Sequence, residues 1–211
     1  MLASWADRAG EYSPDYYAHY GADERSERVR AHLDERVDAD AAVLEVGCSA
    51  GRHLDHLREA GYADLHGIEI NETAFAVMAD EYPELFAAGT FHAAAVEDVL
   101  PDIGDDRYGA VFSVETLQHV HPDNAWVFDD LVRVAADLIV TVEIEDGEEG
   151  EPAPSADAAD DDANVNYVDD DVPLYYRDWE SVLGDRGCEQ VAAETVGNDT
   201  LRVFVPPSTD D

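Results

Sequence analysis

Val43-Leu44-Glu45-Val46-Gly47-Cys48-Ser49-Ala50-Gly51 reads as a buried strand that breaks into a glycine-bounded turn and runs straight into a helix. The apolar run from Ala42 to Val46 is short and uninterrupted, as in a parallel strand covered on both faces. Gly47 and Gly51 allow a tight turn and a close approach of backbone to a ligand. The helix that follows presents unpaired amides at its N-terminus. Glu45, two residues before the first glycine, can accept hydrogen bonds from an ammonium group.

Outward from this stretch the chain alternates strand and helix. Glycine 61 stops the helix carrying Leu54 and Leu57, and Leu65 to Ile70 forms a second strand. Asn71 then caps a helix. Thr90 to Ala93 and Ala110 to Val114 are predicted as the third and fourth strands, and Leu138 to Val142, dense in β-branched residues, as the fifth. Helices are expected over 22–37, 123–136 and 176–186. Two closing strands, 189–196 and 201–205, joined through Gly197-Asn198-Asp199, read as a hairpin. The pattern predicts an α/β fold: a Rossmann-like, seven-stranded mixed sheet with its last strand antiparallel and helices on both faces. Residues 1–40 are expected to form an N-terminal helical cap, and 41–211 a single ligand-binding domain. Within that domain, 145–171 is an acidic insertion, either a solvated loop or a lid over a substrate.

Fifty acidic residues face twelve basic ones, all arginine, giving a formal net charge of −38 over 211 residues. In dilute buffer this charge opposes compaction. In molar salt, where the screening length is about 3 Å, the repulsion largely disappears. The expectation is a protein adapted to a salty cell interior, such as that of a halophilic archaeon. A basic stripe for nucleic acid is absent, so that partner is not expected. Nor is a membrane, since no apolar run approaches the ~20 residues needed to span one. Cytoplasmic location is expected from the lack of a leader pattern. Cys48 and Cys188 stand in unrelated contexts, which predicts neither a disulfide framework nor a metal site.

A dinucleotide turn has glycine at the first, third and sixth positions. Here Ser49 and Arg52 occupy the latter two. With an acid two residues ahead, the stretch resembles motif I of class I S-adenosylmethionine-dependent methyltransferases, D/E-x-G-x-G-x-G, with Ser49 as the middle residue. Glu69, at the second strand's end and 18 residues after Gly51, is placed to accept the hydrogen bonds of a ribose diol. By the same resemblance Ala95, Val96 and Glu97 fall where the family cradles adenine. Tyr108 to Ser113 matches its F-D-L-V-F-S run, and Leu117-Gln118-His119-Val120 resembles L-E-H-V. Gly187-Cys188-Glu189 resembles the family's G-F-E. The resemblance spans 40–205.

It implies S-adenosylmethionine as cofactor, held by Glu45, Gly47, Cys48, Ser49, Gly51, Glu69, Ile70, Ala95, Val96 and Ser113, and a small-molecule acceptor. The N-terminal tyrosines Tyr16, Tyr17 and Tyr20 either cover the cofactor, offering apolar rings with polar tips, or serve as packing. A monomer or homodimer is expected. His119 is the first candidate for a catalytic base or orienter, because imidazole titrates near neutrality; Glu115 is the second. His121 is a weaker third, and His53 is expected to be structural. A non-catalytic S-adenosylmethionine-binding module is the alternative function. Nucleotide-dependent oxidoreduction is disfavoured by the glycine spacing.

Overall fold

The structure, a computed structural model, describes residues 2–145, 165–168 and 172–208. Helices α1 (Leu2–Ala6), α2 (Pro14–Tyr20) and α3 (Glu24–Arg36) precede strand β1 (Ala42–Val46). Alternation follows: α4 (Arg52–Ala60), β2 (Asp64–Glu69), α5 (Thr73–Glu81), α6 (Pro83–Ala88), β3 (Thr90–Ala93), α7 (Val96–Val99) and β4 (Tyr108–Val114). Then come α8 (Val127–Val134), β5 (Ala135–Glu143), β6 (Val165–Val168), β7 (Val172–Tyr175), α9 (Trp179–Gly184), β8 (Glu189–Val196) and β9 (Asp199–Val205).

Seven strands form one sheet in the order β3-β2-β1-β4-β5-β9-β8. Strands β1 to β5 run parallel, whereas β9 is antiparallel to β5 and β8 to β9. The order reverses at β1, whose neighbours are β2 and β4, and a crevice opens there beyond the carboxyl ends of the strands.

Alternation along the strands divides the core in two. Val43, Phe112, Val140 and Val203 face α3 and α4, packing with Val29, Leu33, Leu54 and Leu57. Leu44, Val111, Ile139 and Phe204 face α8 and α9, against Phe128, Leu131, Trp179 and Leu183. Every residue of β1 is buried. An acid at an odd-numbered position of β1 must therefore lie under α4, and a polar residue at 113 must lie under α8. Helix α3 starts at a capping box: Asp23 accepts from the Ser26 amide, and the Asp23 amide donates to Ser26 Oγ.

The expected helix over 123–136 is shorter. A 3₁₀ turn, Pro122–Asn124, precedes α8, and β5 begins at Ala135 immediately after α8 ends. No glycine or proline marks that junction, so an apolar helix face runs on into an apolar strand. The helix predicted over 176–186 begins only at Trp179, where Asp178 accepts from the Ser181 amide as its cap. Most of the acidic insertion, 145–171, lies outside the described residues. Its described part contains β6, which pairs with β7 in a small antiparallel hairpin unforeseen from sequence. Among the described residues, no helix is long and apolar enough to cross a membrane. Cys48 and Cys188 are free and buried, and no group of metal-ligating side chains is present among the described residues.

Candidate active site

The cleft at the order reversal is floored by the ends of β1, β2 and β4 and roofed by the N-terminal segment. Val46 to Ser49, Ile68 to Asn71, Ala94 to Glu97 and Val114 to Thr116 line its floor and walls, with His119 and Val120 beside them. Trp5, Arg8, Tyr12 and Tyr17 close it from above.

The β1–α4 turn is built by backbone geometry. Gly47 and Cys48 both donate their amides to the Ile68 carbonyl, at 2.8 and 3.0 Å, which locks the turn to β2. Gly47, Ser49 and Gly51 all take positive φ, at 75°, 47° and 87°. The freedom of the glycines is used by the protein itself. A Cβ on Gly47 would overlap the Thr116 side chain, and one on Gly51 would sit 2.7 Å from Leu85 and 2.9 Å from Met78. Both positions thus require glycine for their positive φ and for the neighbouring side chain that fills each hollow, and Gly47 also lines the cleft. Cys48 is packed over Gly67, and burial pushes its thiol well above the ordinary range.

Glu69 is held rigidly. Its Oε2 accepts from the Ser49 amide at 2.9 Å, and its Oε1 from the Asn71 amide at 2.8 Å. Burial still raises its pKa, although those amides favour the charge. The carboxylate keeps acceptor capacity, and the residue lines the cleft. Asn71, buried, ties this corner to the roof by donating to the Arg8 carbonyl at 3.1 Å.

Glu45 lies beneath the turn, fully buried, with neither carboxylate oxygen hydrogen-bonded. Desolvation drives its pKa well up, the nearby Arg52 guanidinium opposes this, and Glu69 adds to it. Arg52 pairs with Asp23 at 3.0 Å and lies over the Tyr17 ring.

Glu115 follows β4 directly, in a left-handed conformation, φ 51°. It lies 3.8 Å from Arg25, and burial with Asp199 nearby raises its pKa. His119 stands in a 3₁₀ turn, Leu117–His119, its ring 4.9 Å from that of Trp5. Its Nδ1 is 2.9 Å from the Pro173 carbonyl of β7. A carbonyl can only accept, so Nδ1 carries the proton and Nε2 holds the free lone pair. Burial lowers the pKa of His119, which keeps the ring neutral at physiological pH.

Of the thirteen residues expected from sequence, Gly47, Cys48, Ser49, Glu69, Ile70, Ala95, Val96, Glu115 and His119 line the cleft. Gly51 and Glu45 support the turn from below. Ser113 does not face the cleft: it lies on the α8 side of the sheet and donates to Glu143 at 2.7 Å. Tyr20 projects outward at 63% exposure, because Tyr16 and Tyr20 share one face of α2 while Pro14 and Tyr17 turn inward. His121 caps the Pro122–Asn124 turn, and His53 bonds Ser26 within the core. Tyr17, one of the N-terminal tyrosines expected to cover the cofactor, does line the cleft, and Tyr12 lines it beside Tyr17. Trp5, Arg8 and Asn71 line it without having been singled out for it.

A doubly wound sheet closed by an antiparallel pair, with an acid-lined cleft at its order reversal, is the architecture of Rossmann-like methyltransferases. Residues 43–137 match the family model described as a methyltransferase domain. The matched stretch holds the β1–α4 turn, Glu69 and the segment from Ala95 to Glu97. The fold is similar to magnesium protoporphyrin IX methyltransferase from Synechocystis PCC 6803, solved with bound S-adenosylmethionine. That likeness has 16% identity and a TM-score of 0.62, and covers 96% of this chain and 88% of that one. A geranyl diphosphate methyltransferase, solved with geranyl diphosphate and sinefungin, gives 13% identity and a TM-score of 0.66, covering 87% and 78%. The putative methyltransferase in complex with the Trm112 activator of Haloferax volcanii gives 11% identity and 0.64, covering 89% and 95%. No curated protein matches the sequence.

The residues present suit this cofactor. Glu69 offers a fixed acceptor pair to a vicinal diol, and Ile70, Ala95 and Val96 offer an apolar wall. The acidic side chains of Glu69, Glu97 and Glu115 on the cleft wall make the surroundings favourable for a cationic ligand.

Proposed function

We propose that this protein transfers a methyl group from S-adenosylmethionine to a small-molecule acceptor. The observation that carries the reading is the juxtaposition, in one cleft, of the anchored Glu69 carboxylate and the neutral His119 ring with its open Nε2. Glu69, Ile70, Ala95 and Val96 would hold the nucleoside portion, with Glu45 and the turn 47–49 beside the amino-acid portion. When bound, the cofactor supplies an electrophilic methyl on a sulfonium.

The protein's own task is mainly to orient the acceptor in line with that methyl and to exclude water. Trp5, Tyr12 and Tyr17 roof the cleft and provide apolar area with polar tips. His119, neutral, accepts the acceptor's proton or orients its lone pair through Nε2. Glu115, across the cleft and raised in pKa, is a second proton-accepting group. A small-molecule acceptor suits a cleft closed over by the N-terminal helices, and two structurally similar enzymes carry small-molecule acceptors in their names. Residues 1–40 act as the cap, and the hairpin β6–β7 covers the His119 side. Cytoplasmic work in high salt accords with a net charge of −38. If so, the thermal midpoint rises steadily with KCl; a midpoint that falls between dilute buffer and molar KCl contradicts the salt adaptation.

The test is transfer of tritium from methyl-labelled S-adenosylmethionine into the small-molecule fraction of a cell extract, with His119→Gln alongside. Label entering a discrete metabolite peak, reduced on the order of 100-fold in the variant, supports the reading. Cofactor bound without any transfer would instead favour a non-catalytic binding module.

A further inference from the structure

Glu143 ends β5 on the face of the sheet turned away from Glu45, and it is fully buried. Four donors converge on it. Ser113 Oγ gives its hydrogen to Oε1 at 2.7 Å, and the amides of Thr116 and Leu117 reach the same oxygen at 3.3 and 3.1 Å. The Gln118 amide reaches Oε2 at 3.2 Å. Three consecutive amides of one loop thus point at a single carboxylate.

The carbonyls of the same loop point at a cation. Arg177 donates to the Leu117 carbonyl at 3.2 Å and to that of Val120. Its guanidinium is fixed among Phe128, Tyr175 and Trp179. The Gln118 side chain closes the arrangement by accepting from the Ile144 amide at 2.9 Å. The loop between β4 and α8 has no regular secondary structure beyond two short 3₁₀ turns, Leu117–His119 and Pro122–Asn124, so its own backbone bonds fix it only in part. A buried carboxyl group and a half-buried guanidinium do the rest, and His119 sits between the groups they grip.

We propose that Glu143 is a positioning residue. Together with Arg177 it clamps the 115–120 loop, so that His119 keeps Nδ1 on the Pro173 carbonyl and Nε2 toward the cleft. This role rests on the proposed function insofar as Nε2 is to be used there, but the clamp itself is a property of the loop. A sequence carries no sign of it, because Glu143 looks like any acid at a strand end.

The clamp has a built-in pH dependence. Burial pushes Glu143 up to about 7 against the pull of its four donors. The charged side chain that faces it is Arg177. Glu115 faces Arg25 and Asp199, and His119 faces Pro173 and Arg177. Protonation of Glu143 removes the charge that assists the amide bonds, so the loop is gripped above that pH and loosened below it. Burial also shifts His119 below its ordinary range, and the Glu143→Gln variant separates its own titration from that of Glu143.

The experiment is ¹⁵N NMR of histidine-labelled protein, with His119 assigned by the resonance lost in His119→Gln. Calorimetric binding of S-adenosylmethionine is measured on the same samples. In the wild type, His119 shows protonated Nδ1 above neutrality, and that signature weakens as pH falls through about 7. In Glu143→Gln, the amide nitrogen cannot accept from the loop. The pH step disappears, and the backbone amides of 116–118 exchange at least ten times faster. Ser113→Ala removes one donor without touching the loop, so the step moves to higher pH; this variant tests the clamp even if Glu143→Gln does not fold. A step unmoved in Ser113→Ala, or an unchanged signature in folded Glu143→Gln, overturns the proposal. Failure of the wild type to bind S-adenosylmethionine would sink the proposed function and leave the clamp measurement standing.

Discussion

Arg25 places both Nε and Nη2 within 2.6 Å of Asp199 Oδ2, joining the start of α3 to the first residue of β9. The Asp199 side chain is wholly shielded from solvent, and its Oδ1 has no partner. Burial outweighs the cation and holds the Asp199 carboxyl above its ordinary range. This pair fixes the β8–β9 turn under the cleft, because Arg25 also reaches Glu115 at 3.8 Å.

Arg25→Gln therefore leaves a buried carboxylate without its counter-charge. The expected loss is about 3 kcal/mol, read as a shift in the urea midpoint at constant slope. Asp199→Asn, which removes the buried charge as well, should cost clearly less. Equal losses in both variants would mean that the pair matters through packing and not through charge.

Gly47→Ala combines two penalties. A side chain at φ 75° costs about 1–2 kcal/mol, and the new methyl overlaps Thr116. The loop carrying Glu115 and Thr116 must move away from the turn. Thermal unfolding should show the loss, and adding Thr116→Gly should recover the steric part but not the backbone part. Full recovery in the double variant would remove the backbone argument.

His53 is buried against Ser26, 2.7 Å from its hydroxyl. Burial, together with the neighbouring Arg52, pushes its pKa down to about 3, despite the opposing pull of Asp23. A histidine whose folded pKa is depressed contributes stability that is complete above its unfolded value of about 6.5 and lost as pH falls toward 3. Between pH 7 and pH 4.5 this amounts to roughly 3 kcal/mol. Comparing urea unfolding of wild type and His53→Gln at those two pH values isolates the term; the variant's pH dependence should be flatter by that amount. Identical slopes would show that His53 is not the buried neutral group described.

The sheet was legible because its strands are short apolar runs that glycine, asparagine or charged residues terminate. Ala42–Val46, Thr90–Ala93 and Glu189–Val196 have the bounds that the pattern implies. The position of Glu69 at the end of β2 followed from the βα alternation, whereas the strand order, and the reversal at β1 that opens the cleft, come only from the pairing of β1 with β2 and β4. The side of the sheet on which a polar residue lies was not legible for Ser113. A central strand covered on both faces has no polar edge to set its phase, and only pairing with Thr141 across β4 and β5 reveals it. Tyr20 was misplaced because α2 has only seven residues, too few for its apolar stripe to separate Tyr17 from Tyr20. Glu143 and Arg177 escaped notice for a different reason. They act on backbone groups of a distant loop, and no spacing in sequence encodes such a contact. Hairpin β6–β7 was hidden by the acids around it, which outweighed the alternation in Val165–Val168.

Calorimetric titration of S-adenosylmethionine into the wild type and Glu69→Ala, in molar KCl, tests the central claim most directly. Binding to the wild type that weakens at least tenfold in the folded variant, about 1.4 kcal/mol, is the predicted result. No binding to the folded wild type, or equal binding to both proteins, would contradict the assignment of this cleft as the methyl-donor site.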